Sequence, residues 1–217
     1  AASDVYKRQV EKVGPGVTSL AEGELVCGMV GFPLAAGAYA ESVVAREEEL
    51  VKLDGVSLRQ GAALPLAGLT AWQGLLEHGG LQSGQRVLIL AGAGGVGHLA
   101  VQFAAAYGAH VVATASGDNH SFLHSLGASR MVDYHQAGWC TEAITDGPFD
   151  LVLDLVGGES GKAALACVKP GGRLVTVPTI TAQQIKDAGA ELGVEVVGML
   201  VHPDRTQPVS YTHLRAH

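Results

Sequence analysis

From residue 86 onward the apolar positions fall into short blocks of one period and longer blocks of another. Residues 86–91, RVLILA, form a run of Leu and β-branched side chains, the pattern of a strand buried on both faces. Similar runs at 110–114, 130–133, 150–154, 173–177 and 194–201 predict five more strands. Between them, helical spacing predicts helices over 98–107, 118–126, 136–145, 159–167 and 182–189. Strand–helix alternation is the rhythm of a parallel sheet, and six strands is the number in a complete doubly wound dinucleotide-binding sheet. The first 64 residues differ. Short apolar runs at 24–30, 37–45 and 50–53, separated by Gly and Pro, predict an all-β region, with a Gly-Pro-Gly turn at 14–16. Residues 57–60 are a candidate cap for a helix into 61–65, and 66–78 read as a helix with Leu66, Leu69, Trp72, Leu75 and Leu76 on one face. Gly79-Gly80 ends that helix, 82–85 turn into the strand at 86, and Asp204 opens a last helix. The domains expected are 10–64, all-β and partial, and 65–208, α/β.

The stretch that organises the chain follows the first of the six strands. Gly92, Gly94 and Gly97 stand at G-x-G-x-x-G spacing, with Gly95 and Val96 inside the turn, and helical spacing resumes at His98. A turn without Cβ atoms lets the backbone approach a pyrophosphate, and the N–H groups at the head of the helix meet its charge. The spacing alone is weak in a chain with 30 Gly. Strand, glycine turn and helix in that order supply the context that makes it a dinucleotide-binding reading. The competing reading is a structural turn in another α/β protein.

The two ends read differently. A coding of residues 1–9, AASDVYKRQ, has a reverse complement that in another frame encodes residues 209–214, VSYTHL. The shared element resembles a transposase adapter used for sequencing libraries. The expectation is that 1–9 and 209–217 are adapter-derived tails outside the fold, and that 10–208 is internal to a longer protein.

Lys+Arg number 14 against 21 Asp+Glu, a net charge of −7, with no basic cluster. That balance argues against nucleic acid and anionic membrane surfaces as partners. The apolar runs are too short and too broken by Gly to span a bilayer. Cys27, Cys140 and Cys167 lie far apart with no C-x-x-C, which suggests reduced thiols and a cytoplasmic location.

Several segments together resemble one family. Val13-Gly14-Pro15-Gly16-Val17, Gly37–Glu41 (GAYAE), Ala62–Trp72 (AALPLAGLTAW), the Gly92–Gly97 loop, Asp154–Gly158 (DLVGG) and Lys169–Leu174 (KPGGRL) occur in the order of medium-chain dehydrogenase/reductases. The resemblance covers essentially all of 10–208 and is specific to the zinc-free quinone oxidoreductase-like branch. It implies a GroES-like β-barrel catalytic domain, partial here, and a Rossmann NADP-binding domain. Zinc-dependent relatives insert a four-cysteine lobe between the equivalents of Val26 and Gly37, where this chain has only Cys27. A tetrahedral structural site needs four ligands. They also carry a ligand Cys at the position of Leu66, which binds no metal. No zinc is therefore expected. His120 and His124, an i, i+4 pair, read as a solvated helix face.

NAD sites usually place Asp or Glu at the end of the second strand, about 20 residues past the first glycine. Here that strand runs into Ala115-Ser116-Gly117, with no carboxylate to repel a 2′-phosphate. Ser116 can donate to phosphate. The resemblance places a Lys at the position of His120, a weaker cation, and matches Tyr134 to a Tyr that packs near the phosphate. Asp118 is read as a helix cap rather than a ribose ligand. NADPH is thus favoured over NADH. Thr70 resembles a Thr near the nicotinamide carboxamide, with capping of its own helix as the alternative. Gly157 and Val177 match backbone positions that line the nicotinamide pocket. Tyr39 is read as a half-buried strand residue rather than a substrate contact.

The activity implied is hydride transfer from NADPH to a small-molecule acceptor, a quinone or an α,β-unsaturated carbonyl. Such acceptors need less Lewis-acid help than a simple carbonyl. No residue reads as a convincing general acid, so the catalytic residues stay unassigned. A zinc-dependent alcohol dehydrogenase and a non-catalytic NADPH-binding protein on the same fold are the alternatives. The run at 194–201 is a candidate edge for homodimer pairing. With part of the barrel expected to be missing, the 217-residue chain is expected to show no turnover.

Overall fold

The computed structural model describes residues 5–34, 40–53 and 58–207. It divides into two compact units, Ala1–Leu69 with Val201–His217, and Thr70–Leu200. The sequence reading had placed the boundaries at 64/65 and 208.

In the first unit, β1 (Val5–Gln9), β2 (Leu25–Met29) and β3 (Leu50–Lys52) form an antiparallel sheet in the order β1-β2-β3. Val5–Gln9, set outside the fold in the sequence reading, pairs with β2 from Val5↔Met29 to Gln9↔Leu25. β2 would otherwise present an unpaired edge, which readily accepts another strand. Val26, Cys27, Met29 and Val30 are buried. Tyr39 and the start of the expected 37–45 strand lie outside the described residues, and 40–46 form no strand. The polar groups there bond elsewhere: the Ser42 hydroxyl donates to Glu11 Oε2 (2.9 Å) and the Arg46 N–H to Glu49 Oε2 (3.0 Å). The expected cap at Ser57 also lies outside the described residues.

The helix expected into 61–65 and the one expected at 66–78 are continuous. α1 (Leu58–Trp72) passes through Pro65 and continues as one wide turn, Gln73–Glu77. A proline costs a helix its i−4 hydrogen bond, which is why the sequence suggests a boundary there.

The second unit is a six-stranded, all-parallel sheet: β4 (Arg86–Ile89), β5 (His110–Thr114), β6 (Arg130–Val132), β7 (Phe149–Asp154), β8 (Val168–Thr176) and β9 (Glu195–Gly198). The spatial order is β6-β5-β4-β7-β8-β9. The crossovers carry α2 (Gly97–Ala106), α3 (His120–Ser125), α4 (Trp139–Ala143), α5 (Gly158–Ala164) and α6 (Thr179–Leu192). Val87, Leu88, Ile89, Val111, Val112, Leu151, Val152 and Leu153 are sealed from solvent, as a sheet covered on both faces requires. Trp72 packs edge-on against Phe103, centroids 6.0 Å apart.

Several elements depart from expectation in length: α4 is shorter than 136–145 and α6 longer than 182–189, and two strands differ as well. β8 starts at Val168 rather than 173, because Phe149↔Val168 and Leu151↔Arg173 both pair while Pro170-Gly171-Gly172 bulge out between them. β9 is four residues, shorter than the expected 194–201.

Candidate cofactor-binding site

In this strand order the chain leaves β4 towards β5 on one side, while the other neighbour of β4 is β7. The C-terminal edge beside β4 is therefore the switch point at which open α/β sheets bind ligands. Five loops meet along that edge: 90–96 after β4, 115–117 after β5, 133–135 after β6, 155–157 after β7 and 177–178 after β8.

The first loop is held from its neighbours. Thr114, buried at the end of β5, accepts twice: its Oγ1 from the Ala91 N–H (3.0 Å) and its carbonyl from the Gly92 N–H (2.8 Å). On the other side the Leu90 N–H donates to Leu153 O (3.0 Å). A Cβ on Gly92 would stand 2.7 Å from Ala113 Cβ, and one on Gly97 would overlap the Ala91 carbonyl oxygen and lie 2.8 Å from Gly92 Cα. Those two glycines let strand, turn and helix close on one another. Gly94 and Gly95 are exposed, and a Cβ on Gly95 would meet open space. No side chain caps this ten-residue helix; the His98 N–H donates to Gly94 O (3.0 Å) and the Ala100 N–H to Val96 O (3.0 Å), which leaves the N–H groups of Gly97 and Leu99 at its head for a ligand. Glycines that close the turn, an open face above it and an uncapped helix head fit a pyrophosphate. His98, which sequence reasoning missed, closes the turn from within, its Nδ1 2.9 Å from Gly94 O.

At the β5–β6 side, Ser116 Oγ accepts from Asn119 Nδ2 (2.9 Å), leaving its own hydroxyl hydrogen to donate outward. The His120 Nε2 lies 3.3 Å from Ala115 O. A carbonyl only accepts, so this nitrogen carries hydrogen and a neutral ring has only an acceptor left. His120 can therefore serve a phosphate as a second donor only when protonated. Asp118, read as a helix cap, caps nothing: the chain enters α3 through a 3₁₀ turn, Gly117–Asn119, with Asn119 in the cap position. His124 is exposed. Tyr134 is half exposed and stacks on His135, centroids 4.1 Å apart.

β5 ends without a carboxylate, but β6 lies beside it and supplies Asp133. Its Oδ1 accepts from the His135 N–H and faces His135 Nδ1, both at 2.9 Å, and its Oδ2 would lie 3.8 Å from a Cβ on Gly117. The His135 N–H foremost, with the His135 ring and the Gly117 N–H adding to it, holds Asp133 below the usual carboxylate range. Adjacency across parallel strands, nineteen residues apart for Thr114 and Asp133, leaves no local signal.

On the β7–β8 side the organiser is Asp154, also missed. Fully buried, it accepts from the N–H groups of Val156 (3.0 Å) and Gly157 (2.8 Å) at Oδ1 and from the Thr176 hydroxyl (2.8 Å) at Oδ2. The Asp154 carbonyl accepts from the Val177 N–H (3.0 Å). Gly157 and Val177 are thus fixed by one residue. Gly157 has φ +75°, and a Cβ there would stand 3.0 Å from Pro178 Cβ, so both backbone and space demand glycine. Thr70 is buried on α1, one turn before buried Gln73. Among the described residues no three His, Cys, Asp or Glu side chains are grouped to hold a metal, and no helix is long and apolar enough to cross a membrane.

A six-stranded parallel sheet in this order, with an uncapped glycine turn at its switch point, defines a dinucleotide-binding domain. Comparison with known proteins agrees. The zinc-binding dehydrogenase family matches residues 95–204. The chain is 40% identical over 156 residues to the mitochondrial NAD(P)H oxidoreductase RTN4IP1 of Danio rerio, covering 68% of this chain and 40% of that protein. It is 42% identical over 177 residues to 2-methylene-furan-3-one reductase of Solanum lycopersicum, covering 77% and 44%. Among solved structures, the quinone oxidoreductase from Coxiella burnetii superposes with a TM-score of 0.90 at 38% identity, covering 97% of this chain and 66% of that one. The chain belongs to the zinc-binding dehydrogenase family of medium-chain dehydrogenase/reductases, in the quinone oxidoreductase-like branch. It spans about two fifths of the length of these two curated relatives.

Proposed function

We propose that this chain is the nucleotide-binding part of an NADPH-dependent reductase of quinones or α,β-unsaturated carbonyls that works without zinc. The observation that carries the reading is the uncapped glycine turn of Gly92–Gly97 at the switch point. Similarity to a quinone oxidoreductase and to 2-methylene-furan-3-one reductase supports the acceptor class. When bound, NADPH supplies the hydride.

The chain's residues do the holding. Gly95, Val96 and Gly97 would receive the pyrophosphate on backbone N–H groups, over the turn that the Gly94 N–H closes by donating to Ala91 O (2.9 Å). Ser116 would donate to the 2′-phosphate, protonated His120 would add a second donor, and Tyr134 would pack beside them. Gly157 and Val177, fixed by Asp154, would present backbone to the nicotinamide, with Thr70 as a candidate for its carboxamide. Asp133 works against the 2′-phosphate, and its Oδ1 is occupied by the His135 N–H and ring. Leu66, at the position of a zinc ligand in zinc-dependent relatives, supports the metal-free reading. The three cysteines are unpaired, which supports the cytoplasm as the compartment. β9, one of the two edge strands, is where a second copy would pair to form a homodimer.

Calorimetry of this chain with NADPH and NADH, followed by NADPH oxidation by the full-length protein with quinone and enone panels, tests the proposal. Tighter NADPH binding and turnover of either panel support it. Tighter NADH binding would overturn the cofactor assignment. Binding without oxidation of any acceptor would favour a non-catalytic NADPH-binding protein.

A further inference from the structure

Cys140 and Cys167 are 27 residues apart in sequence and neighbours in space. Cys140 sits on α4, half-buried and packed against the hydrophobic core that contains Cys167. Cys167 ends the turn before β8 and is fully buried. The Cys167 Sγ lies 3.8 Å from the Cys140 carbonyl oxygen, and the Cys140 Sγ lies 3.4 Å from Ala163 O. Because Cys167 precedes β8, the pair belongs to the sheet edge opposite the glycine turn, and cofactor binding makes no use of it.

We propose that Cys140 is a peroxide-reactive thiol and that Cys167 resolves it into a Cys140–Cys167 disulfide. The two thiols differ in the way this needs. A hydrogen bond from the Cys167 thiol holds Cys140 below the ordinary thiol range, although burial opposes it, and the same contact pushes Cys167 up. The partly exposed sulfur is the better nucleophile, and the sealed one waits beside it. Cys27, by contrast, is buried in the first unit, and burial pushes it up to about 11.

The chemistry balances with a hydroperoxide as oxidant. The Cys140 thiolate attacks its terminal oxygen: an S–O bond forms, the O–O bond breaks, and the leaving oxygen takes a proton from solvent. The Cys167 sulfur then attacks the Cys140 sulfenic acid: the S–S bond forms, the S–O bond breaks, and hydroxide leaves as water with the Cys167 proton. Two thiols lose two electrons, and the hydroperoxide is reduced by two.

The test is peroxide treatment of the reduced full chain, read by intact mass and a non-reducing tryptic map. The expected result is the loss of two hydrogens, with the Cys140 and Cys167 peptides joined, Cys27 free and dithiothreitol reversing the bridge. In C167S, dimedone should trap sulfenic acid at Cys140. Added oxygen at Cys140 without joined peptides, bridging between chains, or Cys27 reacting first would each overturn the proposal. The wild-type map decides the matter even where C167S fails to fold.

Discussion

Replacing Asp154 with alanine removes the acceptor for three donors at once. The Val156 and Gly157 N–H groups, at 3.0 and 2.8 Å, and the Thr176 hydroxyl, at 2.8 Å, lose a partner that is itself fully buried. A buried donor left unpaired costs about 1–3 kcal/mol. The three losses differ. The Thr176 hydroxyl can rotate to another acceptor. Val156 is half exposed, so water can reach its N–H. Gly157 is buried and its φ of +75° forbids an easy adjustment. The expected total is therefore roughly 2–4 kcal/mol rather than three full penalties. D154N keeps one oxygen for the two N–H groups and turns an amide towards a hydroxyl that can accept, so about 1 kcal/mol is expected. Urea unfolding followed by tryptophan fluorescence is the assay, since Trp72 and Trp139 both lie in the second unit. D154A should also weaken NADPH binding, because the 155–157 loop loses its anchor. Equal losses for D154A and D154N, or a loss under about 1 kcal/mol for D154A, would refute the reasoning.

Gly97→Ala forces a Cβ into the Ala91 carbonyl, so it should cost about 1–3 kcal/mol and abolish measurable NADPH binding; unchanged binding by calorimetry would count against the glycine turn as the site. Asp133→Asn removes the carboxylate that β6 brings beside Gly117, so the ratio of NADPH to NADH affinity should rise, read as a ratio of Kd values. Asp150 should mark acid sensitivity. Burial works to raise it, but the Lys169 ammonium and the Arg86 N–H prevail and hold it below the ordinary carboxylate value. A depressed folded pKa gives stability that is full above the unfolded value and is lost as the pH falls through the folded one. Urea midpoints measured from pH 6 downward should accordingly fall less steeply in D150N than in wild type.

The sheet was legible because its signal is local. Residues 110–114 are the strand seen, and six apolar runs between helical blocks gave six strands. The glycine turn was legible because strand, turn and helix are contiguous. What escaped was contact between segments distant in sequence. Asp133 beside Gly117, and Asp154 beneath Gly157 and Thr176, follow from strand order and carry no local pattern. Pro65 within α1 misled, because tertiary packing overrode a breaker that propensity alone would obey. Asp118 misled because the cap position moved one residue along, to Asn119, through a 3₁₀ turn.

The central claim is that backbone donors at the head of α2 receive a nicotinamide dinucleotide. Titrating the 217-residue chain with NADPH in a calorimeter, with circular dichroism confirming the fold, tests it most directly. The account predicts saturable binding at one site that G97A removes; a folded chain that takes up no NADPH and no NADH would contradict it.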